Sequence, residues 1–152
     1  MKQSTSRQTR QRGFSLIELL IVVAVIGIIA AIAVPNLISA RQAAKSASVV
    51  SALRLIHSSE VSYRSSNDRY GDLTALGNAG YIGDTRLRSG QKARYTFVVT
   101  PDAATPSASY TATAVPSDPS MAAIWRHYYI DQSGVIRWKV GGAADASSQA
   151  ID

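Results

Sequence analysis

The sequence predicts an α+β chain: a long N-terminal helix whose first half spans a membrane and whose amphipathic second half packs on a small antiparallel β-sheet. Three observations predict it. An almost uninterrupted apolar run covers Phe14 to Val34, a helical stripe of apolar residues continues from Leu37 to Tyr63, and four β-rich runs lie between Tyr95 and Val140. At 152 residues the chain has room for one modest head domain besides the helix.

Residues 1–12, MKQSTSRQTRQR, are polar and basic with no apolar period. Net charge is +6, and Lys2, Arg7, Arg10 and Arg12 supply most of the excess with no acid among them. That placement describes an orientation signal that keeps the N-terminus cytoplasmic, rather than a nucleic-acid-binding face. From Phe14 to Val34 only Ser15 and Glu18 interrupt the apolar run. At about 1.5 Å per residue such a helix rises roughly 32 Å, enough to cross a bilayer. A secretory signal has a shorter apolar core, with its small-residue cleavage site after it. Here the small residue, Gly13, precedes the run, so a cut after it removes residues 1–13 as a leader and leaves the helix, 14–36, in the mature chain.

Residues 37–66 read as the amphipathic half of the same helix. Leu37, Ala40, Ala43, Ala44, Ala47, Val50, Leu53, Ile56 and Tyr63 recur at spacings of three, four or seven, while Arg41, Lys45, Ser48, Arg54 and Ser58 fall largely outside the stripe. The head is expected over 67–140. Asn67–Gly90, rich in Gly, Asp and Asn, reads as a long connection with a turn of helix around Leu73–Leu76. Tyr95–Thr100, Ser109–Val115, Ile124–Ile130 and Val135–Val140 read as strands, the last two joined by a hairpin at Asp131–Gly134. Residues 141–152 carry too little apolar surface to order themselves and are expected to form a flexible tail.

The chain has no cysteine, which removes disulfides and thiolate zinc sites. His57 and His127 are its only histidines and have no metal-binding spacing. Asp118 and Asp131 could offer carboxylates to calcium, but the ligand density is too low to predict a site. No cofactor is expected. With no nucleophile elbow, P-loop or phosphate-binding glycine fingerprint, neither is an enzyme. Trp125, Tyr128, Tyr129 and Trp138 beside Arg126, Arg137 and Lys139 read as sheet core with a solvated basic face; an adhesive or DNA-stacking patch is the competing reading.

Gly13-Phe14-Ser15-Leu16-Ile17-Glu18, followed by the apolar helix and Pro35-Asn36, resembles the processing and assembly signal of type IV pilins and type II secretion pseudopilins, over Gly13 to Leu37. The resemblance implies a pilin fold, cleavage after Gly13 by prepilin peptidase, and an N-methylated Phe14 as the mature terminus. A side chain at Gly13 would obstruct the peptidase. It also implies that Glu18 pairs with the Phe14 amine of a neighbouring copy; a glutamate that snorkels to the headgroups is the alternative. Gly27 and Pro35, which cost a helix interior about 1 and 3 kcal/mol, would permit curvature and local unwinding; an ordinary kink is the other reading.

The function so implied is a structural filament subunit, with adhesion, twitching motility or DNA uptake as properties of the filament. Its expected partners are copies of itself and other pilins, the prepilin peptidase and methyltransferase, an inner-membrane assembly platform, and membrane lipid before assembly; nucleic acid is not favoured. Expected localisation is single-pass in the inner membrane with the head periplasmic, then in an extracellular pilus or a periplasmic pseudopilus. A pseudopilin shares every residue of this argument. A membrane-anchored binding module that never polymerises requires Gly13 to remain uncut. Many pilins close a C-terminal loop with a disulfide, which this chain cannot form.

Overall fold

The computed structural model describes residues 14–151. Gly13 and the basic residues 1–12 before it therefore lie outside the described residues, as does Asp152. Helix α1 runs from Leu16 to Asn67 without interruption. The chain divides into two units, one up to Arg41 and one from Gln42 onward. In the first unit every described residue is exposed.

In the second unit, six strands form an antiparallel meander in sequence order: β1 (Gln91–Lys92), β2 (Tyr95–Pro101), β3 (Tyr110–Pro116), β4 (Arg126–Asp131), β5 (Arg137–Val140) and β6 (Gln149–Ala150). Alternation puts Tyr95, Phe97 and Val99 of β2, Tyr110, Ala112 and Ala114 of β3, and Tyr128 and Ile130 of β4 inside. Against them lie Val49, Ala52, Leu53, Ile56 and Tyr63 of α1. Each fully buried Leu or Ile contributes about 1.5–3 kcal/mol. The fold is thus the expected α+β arrangement, a long helix on an antiparallel sheet.

The connection Asn67–Gly90 holds two short helices, α2 (Leu73–Asn78) and α3 (Thr85–Arg88). Each starts at an aspartate: the Asp72 carboxylate accepts from the Ala75 N–H at 2.7 Å, and Asp84 accepts from Arg86 and Leu87. Leu73, Leu76, Ile82 and Leu87 then anchor the connection in the core. A fourth short helix, α4 (Pro119–Ala122), is capped by Asp118.

Three expectations are corrected. The apolar stripe of α1 is rotated: Ala43, Ala44 and Ala47 are exposed, whereas Val49, Ala52, Ser59 and Glu60 are buried. Methyl groups bury too little surface to set the phase of a helix, so the larger side chains from Val49 onward set it. The strand expected from Ile124 starts at Arg126, because the N–H groups of Ile124 and Trp125 both donate back to the Met121 carbonyl. Nor is the tail free. β6 pairs with β5, Arg137 Nη1 donates to the Ser148 carbonyl at 3.0 Å, the Ile151 N–H donates to the Ile136 carbonyl, and Ile151 packs on the core. Backbone pairing and one aliphatic side chain supply what the polar composition lacks.

The β4–β5 hairpin closes as expected through Gly134, at φ +75°, and a Cβ there would lie 2.9 Å from His57 Nε2. The ring cannot swing aside without losing its 2.8 Å hydrogen bond between Nδ1 and the Tyr110 hydroxyl. Gly134→Ala therefore carries both left-handed strain and a clash, and is expected to lower head stability by about 2 kcal/mol. Denaturant unfolding followed by tyrosine and tryptophan fluorescence checks this.

Candidate assembly site

Apolar side chains on the first half of α1 have no cover. Phe14 is 79% exposed, Leu16 81% and Ile28 65%, and the run continues so through Ile38. Among the described residues it is the one helix long and apolar enough to cross a membrane. A soluble monomer rarely shows a continuous apolar surface of this extent, so this surface requires lipid or other protein around it.

Phe14 and Ser15 lie just ahead of the first turn of α1, which carries Glu18. The Ser15 N–H donates to Glu18 Oε2 at 2.9 Å, so the carboxylate satisfies one of the free N–H groups that open any helix. Among the described residues no cation pairs with that charge. From Phe14 to Ala40 the sequence contains no Lys, Arg or His; the first is Arg41.

Gly27 and Pro35 lie within the unbroken helix. A Cβ at Gly27 would meet nothing within 4 Å, so no packing within this chain calls for glycine there. Pro35 has no N–H to give the Ala31 carbonyl, yet the helix passes through it.

Elsewhere the residues weighed for chemistry serve the fold. His127 Nε2 lies 2.8 Å from the Ala122 carbonyl. Asp118 caps α4 and pairs with Arg94 at 3.4 Å, while the Asp131 carboxylate accepts from the Ser133 N–H in the hairpin turn. Tyr128 is core, whereas Trp125 and Trp138 pack against the core from its edge.

Sequence reasoning missed Glu60, which is 0% exposed in α1. Its Oε2 accepts from the Gly71 N–H at 3.0 Å, tying the start of the Asn67–Gly90 connection to the helix, and its buried Oε1 has no hydrogen-bond partner among the described residues. Burial pushes its carboxyl up to about 7, against the Gly71 hydrogen bond, and the charge of Asp72 adds to the rise. The signal available was positional: Glu60 follows Ile56 by four residues and so shares its face.

An uncovered apolar N-terminal helix with an acid in its first turn, continuing into a helix-on-sheet head, is the arrangement that the resemblance to type IV pilins and type II secretion pseudopilins implies. Residues 8–34 match the family model described as the prokaryotic N-terminal methylation motif. Among particular proteins, the chain is similar to the type IV major pilin protein PilA of Myxococcus xanthus, 48% identical over 63 residues that make up 41% of this chain and 29% of that one. It is similar also to the type IV wide pilus major component PilA4 of Thermus thermophilus, 42% identical over 39% of this chain and 45% of that one. With the type II secretion system core protein G of Klebsiella pneumoniae it shares 38% identity over 40% of this chain and 44% of that one. In each case the match spans less than half of the relative's length.

Proposed function

We propose that the chain is the precursor of a structural subunit of a type IV pilus-like filament, held in the inner membrane by α1 until it is polymerised. The observation that carries this reading is the apolar helix with Glu18 in its first turn and Gly13 just before it. In this reading residues 1–13 are removed, 14–36 become filament core, 37–66 carry the head, and 67–140 form its outer surface. Prepilin peptidase cuts after Gly13 and Phe14 is methylated at its new amine. The charges of Glu18 and of a neighbour's Phe14 amine then neutralise each other out of water and set the axial register. Gly27 and Pro35 are the places where the helix yields as it leaves the bilayer. The subunit acts by polymerising, without catalysis or a cofactor, and an assembly platform in the inner membrane and other pilins are its partners.

The first test is electron microscopy of sheared surface fractions from cells that carry this chain as their only pilin. Fibres that contain the chain support the proposal; a chain that accumulates in the membrane without fibres contradicts it. A second reading, a pseudopilin that drives secretion, draws on the similarity to core protein G. Fibres confined to the periplasm would favour it. A membrane-anchored module that never polymerises predicts no fibre in either place.

A further inference from the structure

At the start of the head, where α1 enters it, a cluster of cations and large apolar side chains is gathered from three segments. The Lys45 Nζ lies 4.5 Å from the centroid of the Trp125 ring, which also stacks on Tyr95 at 6.0 Å and 20°. The guanidinium of Arg126 lies 3.9 Å above Trp138. Ile124 is 61% exposed and Val140, opposite Arg126 in the register, is 49% exposed. Among the described residues no carboxylate pairs with Lys45, Arg126 or Lys139. Two acids lie nearby and both are engaged: Asp118 caps α4 and pairs with Arg94, and Asp145 holds Ser147 and Ser148 with Lys139 in its field.

We propose that the corner formed by Lys45, Ile124, Trp125, Arg126 and Val140 docks on the anionic headgroups of the bilayer in which the chain is anchored before assembly. The inference rests on the reading of α1 as the membrane anchor and names what the head itself then touches. Indole rings beside Lys and Arg are the side chains that settle at a membrane–water interface, with exposed aliphatics dipping below them. Cations without carboxylate partners are drawn to an anionic leaflet within about a Debye length. In sequence, Lys45 follows Ile38, the last exposed aliphatic in the first part of α1, by about two helical turns or roughly 11 Å, so its extended stem and ammonium can turn back to a headgroup layer about 5–8 Å deep. Nucleobase stacking is disfavoured because each ring already carries a cation and one also carries Tyr95, leaving little open indole face.

The chain provides its own reporter, since its two tryptophans are Trp125 and Trp138. The full chain is reconstituted into phosphatidylcholine vesicles with or without phosphatidylglycerol. Quenching by a headgroup-nitroxide lipid is expressed as the ratio to the same vesicles lacking the nitroxide. At least twofold stronger quenching with phosphatidylglycerol is expected, falling to the phosphatidylcholine level in high salt and in the Lys45→Gln/Arg126→Gln double variant. Ile124→Ser, which keeps both cations, is expected to give an intermediate loss. Near-ultraviolet circular dichroism identifies any variant whose head is not folded, and the salt dependence of the unaltered chain stands without it. Equal quenching in both vesicle types overturns the proposal, as does a response to a short DNA duplex in place of phosphatidylglycerol. Flotation of the chain with the vesicles is scored separately: failure to float defeats the anchor reading, whereas flotation with composition-independent quenching defeats only the docking surface.

Discussion

Glu18→Ala is expected to abolish fibres while leaving the precursor in the membrane and its leader processed. The carboxylate stands in a segment, Phe14 to Ala40, without any Lys, Arg or His, and among the described residues its one hydrogen bond is from the Ser15 N–H at 2.9 Å. Once neighbouring helices replace lipid around it, a charge so placed needs an opposite one. In the proposed processing, cleavage after Gly13 would create that charge at Phe14 in every copy. Removing one member of a buried ion pair costs about 3–5 kcal/mol, since the other is left uncompensated. At each subunit contact that is roughly a hundred- to several-thousandfold in association. Before assembly the same substitution removes an acid whose insertion costs up to about 3 kcal/mol, less near the interface, so membrane levels should hold or rise. Quantifying the subunit in sheared and membrane fractions, with the N-terminus checked in each, separates loss of register from loss of processing. Fibre yields equal to the parent chain would show that Glu18 only snorkels.

The second large effect lies in the head. The Glu60 carboxyl, at about 7 in the folded chain against 4.5 ordinarily, holds its proton more tightly when folded than when unfolded. Its contribution to stability is therefore fully present below about pH 4.5 and is lost as pH rises through 7. The difference between these limits corresponds to about 3 kcal/mol, or roughly 10–20 °C in the melting temperature of a domain this size. Glu60→Gln keeps an acceptor for the Gly71 N–H and carries no charge. It should melt near the parent at pH 5, well above it at pH 8, and show little of the parent's fall between the two. Thermal melts of the detergent-solubilised chain, followed by near-ultraviolet circular dichroism, provide the comparison. An unchanged pH slope in Glu60→Gln would place the titration on another group.

Why Glu60 escaped sequence reading and the strands did not is a matter of range. β2 and β3 announce themselves because alternation and β-branching are properties of neighbouring residues. β1 and β6, two residues each, are too short for a period and exist only because β2 and β5 offer them edges. The phase of α1 depends on which side chains the sheet and the Asn67–Gly90 connection press against. A run of alanines leaves that choice open, and Glu60 is buried because Gly71 and the core close over it. Caps at Asp72 and Asp84 were readable in principle, as aspartates just ahead of Leu-containing turns, but a Gly- and Asn-rich context masked them. The uncovered apolar run and the acid in its first turn were legible because they are contiguous in sequence, while Gly13 lies outside the described residues. The Lys45–Trp125 corner was not, because its members come from opposite ends of the head.

In the proposed function the apolar helix becomes a processed filament core rather than a permanent anchor. Intact-mass and N-terminal peptide mass spectrometry of the chain recovered from its native membrane tests it most directly. The prediction is a chain that begins at Phe14 with a methylated α-amine; a mature chain that still begins at Met1 would contradict it.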